Sequence, residues 1–87
     1  MKLFLMLCFV YKSLKKSDAY LYVSQKDDFT TVPDALMAML GTLEFVMDVN
    51  LNTRVSLAQC DIRQVREQLQ RQGFYLQLPQ ETVFFNG

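Results

Sequence analysis

Four segments of the chain have the hydrophobic pattern of β-strands. Residues 6–11 are apolar throughout, which is typical of an interior strand covered on both faces. Residues 19–25 form a second run rich in β-forming residues, and a polar link interrupted by Leu14 joins the two runs. We therefore predict a hairpin with a long loop. Residues 43–51 alternate, so every second side chain from Leu43 is expected on one face. A final strand is predicted over residues 74–78.

A short helix is predicted over residues 32–40. Thr31 and Asp34 have the spacing of a capping box, and Pro33 suits the first turn of a helix, where its missing N–H costs nothing. Gly41 is well placed to end this helix, because glycine accepts the left-handed conformation that helix ends often require.

A second helix is predicted within residues 56–72. Ile62, Val65 and Leu69 recur at helical spacing, and Gly73 follows as a stop signal. The resulting order is β-β-α-β-α-β, an α+β class. The doubly apolar first strand predicts helices on both faces of a small sheet, which is an α/β/α sandwich.

Composition excludes several classes of function. The 87 residues suffice for one domain, and nine basic and nine acidic residues cancel, so no global charge attracts nucleic acid or a membrane surface. The absence of histidine removes the usual general base and the Ser/His and Cys/His nucleophile pairs. Three unclustered glycines provide no phosphate-binding loop. Composition therefore favours a non-enzymatic protein over an enzyme, and we expect no cofactor and assign no catalytic or metal-binding residue.

Cysteine usage and the N-terminal pattern predict a cytoplasmic protein. Cys8 and Cys60 lie far apart and form no C-x-x-C pair, which fits a reducing compartment. Cys8 is expected to pack as a small apolar residue, while Cys60 has a reactive thiol as a less favoured alternative. The apolar run at residues 3–10 is followed by no cleavage site and is too short for a membrane-spanning helix, so no membrane partner is expected.

The predicted hairpin carries the candidate partner-binding residues. Tyr20 and Tyr22 project from one face of the second strand, where bases can stack on the rings while lysines hold phosphates. The favoured alternative is that the tyrosines pack beneath a helix and the lysines are solvated, so direct nucleic-acid binding is not favoured. The candidate residues are Lys12, Lys15, Lys16, Tyr20, Tyr22, Lys26, Asp27 and Asp28.

Two sets of charged residues each have a functional and a structural interpretation. Asp27 and Asp28 resemble paired carboxylates for a magnesium-dependent hydrolase or nuclease, but no third carboxylate is near in sequence, and a turn before the helix is favoured. Three arginines of the second helix form another candidate basic face, although Glu67 has the spacing to pair with two of them. These arginines are Arg63, Arg66 and Arg71.

Several motifs, in their order and spacing, resemble the YcgL family of small bacterial proteins. They include Cys8-Phe-Val-Tyr-Lys-Ser13, Tyr20-Leu-Tyr-Val23, Lys26-Asp-Asp-Phe29 and Gly73-Phe-Tyr-Leu-Gln-Leu-Pro79. The resemblance implies a single domain over residues 6–79 with an α/β/α sandwich fold, and it carries over no catalytic residue. Residues 1–5 are then an extension, with either Met1 or Met6 as the true start. Residues 80–87, which follow the last predicted strand, are expected to be a mobile tail. Family genes often lie near those for a tRNA-processing ribonuclease or for division-site selection, which implies an association with RNA processing.

The sequence therefore favours a non-enzymatic cytosolic binding module. Its partner is expected to be a protein or an RNA-processing complex, engaged through the hairpin. The alternative is a small metal-dependent hydrolase or nuclease using Asp27 and Asp28. The chain is expected to be a monomer or a weak homodimer, formed through a sheet edge or through residues 83–85.

Overall fold

The chain folds as an α+β domain with four strands and two helices. The computed structural model describes residues 7–51 and 62–78. Its elements, in order, are β1 (Leu7–Ser13), β2 (Tyr20–Val23), α1 (Asp34–Leu40), β3 (Leu43–Asn50), α2 (Ile62–Gln72) and β4 (Phe74–Gln77). The predicted α+β class is confirmed. The predicted start of the second helix, like the predicted extension and tail and the thiol of Cys60, lies outside the described residues.

The four strands form one antiparallel sheet in the order β3-β1-β2-β4. The predicted hairpin of β1 and β2 is present, and β1 is an interior strand, as its uninterrupted apolar pattern predicts. β3 and β4 lie at the two edges. Neither described helix is long and apolar enough to cross a membrane.

Buried side chains form two clusters, each containing one helix. The residues of β1 and β2 alternate between the clusters, because successive side chains of a strand point to opposite faces. The α2 cluster contains Cys8, Val10, Tyr22, Val49, Leu51, Ile62, Val65 and Leu69. The α1 cluster contains Tyr11, Ala19, Leu21, Val23, Val32 and Leu40. Burial of each large apolar side chain contributes about 1.5–3 kcal/mol to stability.

A β-bulge interrupts the pairing of β1 with β3. Val10 pairs with Met47, whereas the next residue, Tyr11, pairs with Phe45. Val46 is therefore an extra residue on β3, with no counterpart on β1.

The bulge divides the apolar side chains of β3 between the two clusters. Leu43 packs against the α1 cluster, whereas Met47 packs against the α2 cluster, in which Val49 and Leu51 are buried. The prediction that every second residue from Leu43 shares one face is therefore wrong. The reason is that one inserted residue shifts the two-residue period by one position.

The ends of the helices are set by glycines and by a contact between elements. Gly41 has φ 66° and is the C-cap of α1, and Gly73 has φ 89° directly after α2, so both stop signals are confirmed. The predicted capping box is wrong, because Pro33 is the N-cap and no side chain caps the helix. The hydroxyl of Thr31 instead donates to the carbonyl oxygen of Gly73 at 3.1 Å.

Candidate functional site

Residues 13–19, called the hairpin tip below, comprise the last residue of β1 and the connection to β2. The buried Ser13 hydroxyl donates to the carbonyl oxygen of Leu40, at the end of α1, over 2.6 Å. Ser13 Oγ also accepts the backbone N–H groups of Lys15 at 3.2 Å and Lys16 at 2.8 Å. One side chain thus satisfies three backbone groups and fastens the hairpin tip to the helix.

Backbone hydrogen bonds close the hairpin tip on two sides. The N–H of Leu14 donates to the carbonyl oxygen of Thr42 at 2.9 Å, which joins the tip to the segment between α1 and β3. The N–H of Ala19 donates to the carbonyl oxygen of Lys16 at 3.3 Å. Asp18 has φ 61°, in the left-handed region that aspartate tolerates better than most residues. The tip is therefore a defined turn held by the rest of the fold.

The hairpin tip exposes apolar and basic side chains together. Leu14 is 57% exposed, and Met39, in the last turn of α1, is 39% exposed. The stem of Lys15 packs over the end of α1, since a Cβ atom built on Gly41 would lie 3.0 Å from the Lys15 Cβ. α1 has no basic residue in its own last turn, so Lys15 brings a positive charge to the negative end of the helix. Lys16 is the second cation of the tip.

Two candidate basic groups form ion pairs within the chain. Lys12 Nζ lies 3.1 Å from Glu44 Oε1 across β1 and β3, and both side chains are about half exposed. Glu67 lies 4.0 Å from Arg71 at the predicted i,i+4 spacing on α2. Exposed pairs of this kind contribute about 0–1 kcal/mol. Lys12 is therefore held beside β3 rather than presented with the lysines of the hairpin tip.

Tyr20 and Tyr22 lie on the side of the sheet that faces α2, as their spacing predicts. Tyr22 is 5% exposed, and its hydroxyl donates to Gln77 Oε1 at 2.7 Å. Its ring contacts Tyr75 edge to face, with 5.5 Å between centroids. Tyr20 is partly buried against the α2 cluster. The ring of Tyr22 therefore offers no exposed face on which a base can stack.

The connection from β2 to α1 returns over the sheet and is fastened to Tyr11. The hydroxyl of Tyr11, which is 2% exposed, donates to Asp27 Oδ1 at 3.0 Å and accepts the Asp27 backbone N–H at 2.7 Å. Asp27 has φ 61°, so its backbone turns in the left-handed region at this contact. Burial raises the pKa of Tyr11 above its ordinary value, which keeps the phenol protonated.

Aromatic and charged side chains surround this contact. The ring of Tyr11 lies edge to face with Phe29 at 4.9 Å and with Phe45 at 5.4 Å between centroids. Lys26 Nζ lies 4.5 Å from the centre of the Phe45 ring, within the range of a cation–π interaction. Lys26 and Asp27 thus hold the connection against β1 and β3.

Asp28 has the turn-forming geometry that its position before a helix predicts. Its Oδ1 accepts the Thr30 hydroxyl at 2.6 Å and the Thr30 N–H at 3.1 Å, while its own N–H donates to the Gln25 carbonyl at 3.2 Å. The hydrogen bonds from Thr30 hold the pKa of the Asp28 carboxyl below its ordinary value. Within residues 7–51 and 62–78, no three His, Cys, Asp or Glu side chains form a group that could hold a metal ion.

The candidate residues thus fall in three places. Lys15 and Lys16 are at the hairpin tip; Lys12, Tyr20 and Tyr22 lie along β1 and β2; Lys26, Asp27 and Asp28 are in the connection that follows β2. Sequence reasoning did not single out the residues that organise these places. Ser13 lies in the polar link after the first predicted strand and stands out only as the last residue of a family-like motif. Leu14 is marked as the one apolar residue in a polar loop.

Comparison with known proteins identifies close relatives of the whole domain. A family model described as the YcgL domain matches residues 8–80. A YcgL domain-containing protein of Shewanella denitrificans is 54% identical over 74 residues, which cover 85% of this chain and 78% of the relative. One from Vibrio atlanticus is 53% identical over 78 residues, covering 90% and 80%.

A longer relative contains a similar segment. A protein of Nitrosococcus oceani named putative HAD-like hydrolase is 49% identical over 71 residues, which cover 82% of this chain but 19% of that protein. The family model matches most of the chain, and the two YcgL domain-containing relatives are aligned over 85% and 90% of it. This chain therefore belongs to the YcgL family.

Proposed function

We propose that this chain is a non-enzymatic, cytoplasmic protein-interaction module whose binding surface is the hairpin tip. The observation that carries the proposal is the display of an exposed Leu14 on a turn fixed by Ser13. Contiguous exposed apolar surface rimmed by polar groups marks interaction sites, and Met39 of α1 is exposed at the same end of the domain as Leu14. A turn already held by hydrogen bonds loses little conformational freedom when it binds, so more of the contact energy contributes to affinity.

The arrangement of the core supports binding at an end of the sheet. The α1 and α2 clusters draw alternate residues from β1 and β2, which supports a three-layer sandwich with one helix on each face. In such a sandwich the helices occupy the sheet faces. The hairpin tip then lies at an end of the sheet and remains open to a partner.

The longer relative from Nitrosococcus oceani also supports an accessory role. A segment 49% identical to this chain makes up 19% of a protein named as a hydrolase. We propose that the domain acts beside other protein domains, in the same chain or in separate ones, including those of an RNA-processing complex. A protein partner is favoured over RNA because the Tyr22 ring is packed inside the fold.

A metal-dependent hydrolase or nuclease has less support. The carboxylate of Asp27 accepts the Tyr11 hydroxyl, and that of Asp28 accepts two hydrogen bonds from Thr30. A magnesium titration followed by NMR tests this alternative. Shifts centred on these two aspartates would favour it, whereas unchanged spectra would leave the two side chains with their structural role.

The proposed function is tested by affinity capture from native bacterial cytosol, with and without nuclease. The bait is the full chain as wild type, as the tip variant Leu14→Ser/Lys16→Ala, and as a control variant, Arg71→Ala, on α2. We expect wild type and the control variant to capture the same protein. Its capture should be lost with the tip variant and should not change after nuclease treatment. Once purified, that protein must bind wild type and the control variant directly and must not bind the tip variant. Equal binding to all three would refute the proposal.

A further inference from the structure

We infer that the hairpin tip recognises an acidic, amphipathic segment of its partner protein, meaning a segment that combines carboxylates with one or two large apolar side chains. This inference rests on the proposed function and adds the chemistry of the partner to it. Three properties of the tip support it: its apolar residues, its charge and its rigidity.

The apolar part of the surface consists of Leu14 and Met39. Both side chains are exposed, and hydrogen bonds at Thr42 and Leu40 hold their backbones at the same end of the domain. A partner must therefore offer an apolar side chain to bury this area. Methionine is flexible and adapts to ligands of different shape.

The charged part of the surface is basic. Lys15 and Lys16 stand beside Leu14, and Asp18 is the acidic residue of the tip, so one positive charge is in excess. Lys12 adds nothing to this excess charge, because its charge is paired with that of Glu44. A carboxylate on the partner complements this charge and fixes the orientation of binding.

Rigidity makes the spacing of the two features specific. The backbone N–H groups of Lys15 and Lys16 are both bound by Ser13, so the start of each lysine side chain has a fixed position relative to Leu14. Single-stranded RNA would also meet the lysines, but it would need exposed aromatic rings for its bases. The tip offers Leu14, with Met39 of α1 at the same end of the domain, which favours a peptide.

Selection from a library of random peptides displayed on phage tests the inference, with the folded full chain as bait. We expect selected peptides to combine Asp or Glu with Leu, Ile or Phe. Lys15→Gln/Lys16→Gln should weaken their binding about tenfold, corresponding to about 1.4 kcal/mol. The matched neutralisation Arg63→Gln/Arg71→Gln on α2 should change it less than about twofold. As a charge swap, peptides whose acidic residues are replaced by lysine should bind the Lys15→Glu/Lys16→Glu variant more tightly than they bind the wild-type chain.

The outcomes separate this inference from the proposed function. Peptides that depend on Leu14 but show no acidic bias would overturn the partner chemistry and leave the interaction module intact. No selected peptide, or peptides insensitive to every change at the tip, would count against both. An RNA oligonucleotide that displaces the peptides and is itself lost with Lys15→Gln/Lys16→Gln would overturn the choice of a protein partner.

Discussion

Replacing Tyr11 by phenylalanine removes one oxygen atom from the contact that fastens the β2–α1 connection. That oxygen donates to the Asp27 carboxylate at 3.0 Å and accepts the Asp27 N–H at 2.7 Å. Hydrogen bonds contribute about 1 kcal/mol net, and more when one group is charged, but water can replace the lost partner at the exposed Asp27. We expect Tyr11→Phe to lower the free energy of unfolding by about 1.5 kcal/mol, and Tm by about 6–12 °C for a domain of this size.

Urea unfolding followed by far-ultraviolet circular dichroism measures this change. The matched control is Tyr20→Phe, which deletes the same atom from a tyrosine that is partly buried against the α2 cluster. Hydrogen exchange adds a local measurement, since the Asp27 amide should lose protection in Tyr11→Phe. Equal stability of the two variants, with an equally protected Asp27 amide, would refute the reasoning.

The same substitution has a pH signature. Burial raises the pKa of Tyr11 in the folded protein, so the folded state holds the phenol proton more tightly than the unfolded chain. The resulting stabilisation is complete below about pH 10, the ordinary value for tyrosine, and is lost as the pH rises through the folded pKa. Wild type should therefore lose more stability than Tyr11→Phe above about pH 10. Parallel pH profiles would contradict this cause.

The remaining predictions concern the hairpin tip, the end of α2 and Asp28. Ser13→Ala should lower the free energy of unfolding by about 1–3 kcal/mol, because the Leu40 carbonyl and two tip amides lose their partner; urea unfolding tests it, and an unchanged midpoint would contradict it. Gly73→Ala should cost at least about 1–2 kcal/mol, since φ is 89° and the new Cβ would lie 2.6 Å from the Thr31 methyl group; thermal unfolding measures it. The lowered pKa of Asp28 stabilises the fold above about pH 4 and that contribution is lost as the pH falls, so Thr30→Val should flatten the acid side of the stability profile.

The elements of this fold could be predicted because each has a local cause. Gly41 and Gly73 end the two helices with positive φ, a property of glycine itself. Contacts between distant segments could not be predicted in the same way. Thr31 satisfies the pattern of a capping box, yet its hydroxyl binds a carbonyl 42 residues away. A local pattern specifies a hydrogen bond only when no distant group offers a competing partner.

The candidate site was predicted in part for a related reason. Composition could point to the lysines of the hairpin and to the aspartates before α1. It could not show that Tyr11 reaches Asp27 across 16 residues, or that Ser13 reaches the end of α1. These two hydroxyls decide which charged residues are fixed and where, and nothing in their neighbouring sequence indicates their partners.

The extra residue at Val46 has a consequence for how the domain folds. Because β3 contributes Leu43 to one cluster and Met47 to the other, neither half of the core is complete until this strand has docked. Docking joins residues 30 or more positions apart in sequence, which is a slow step that depends on chain topology. The two halves should therefore unfold together in a single cooperative transition. Deleting Val46 would remove the bulge and leave both halves of β3 on their present faces, because Phe45 and Met47 would then be neighbours, like their partners Tyr11 and Val10.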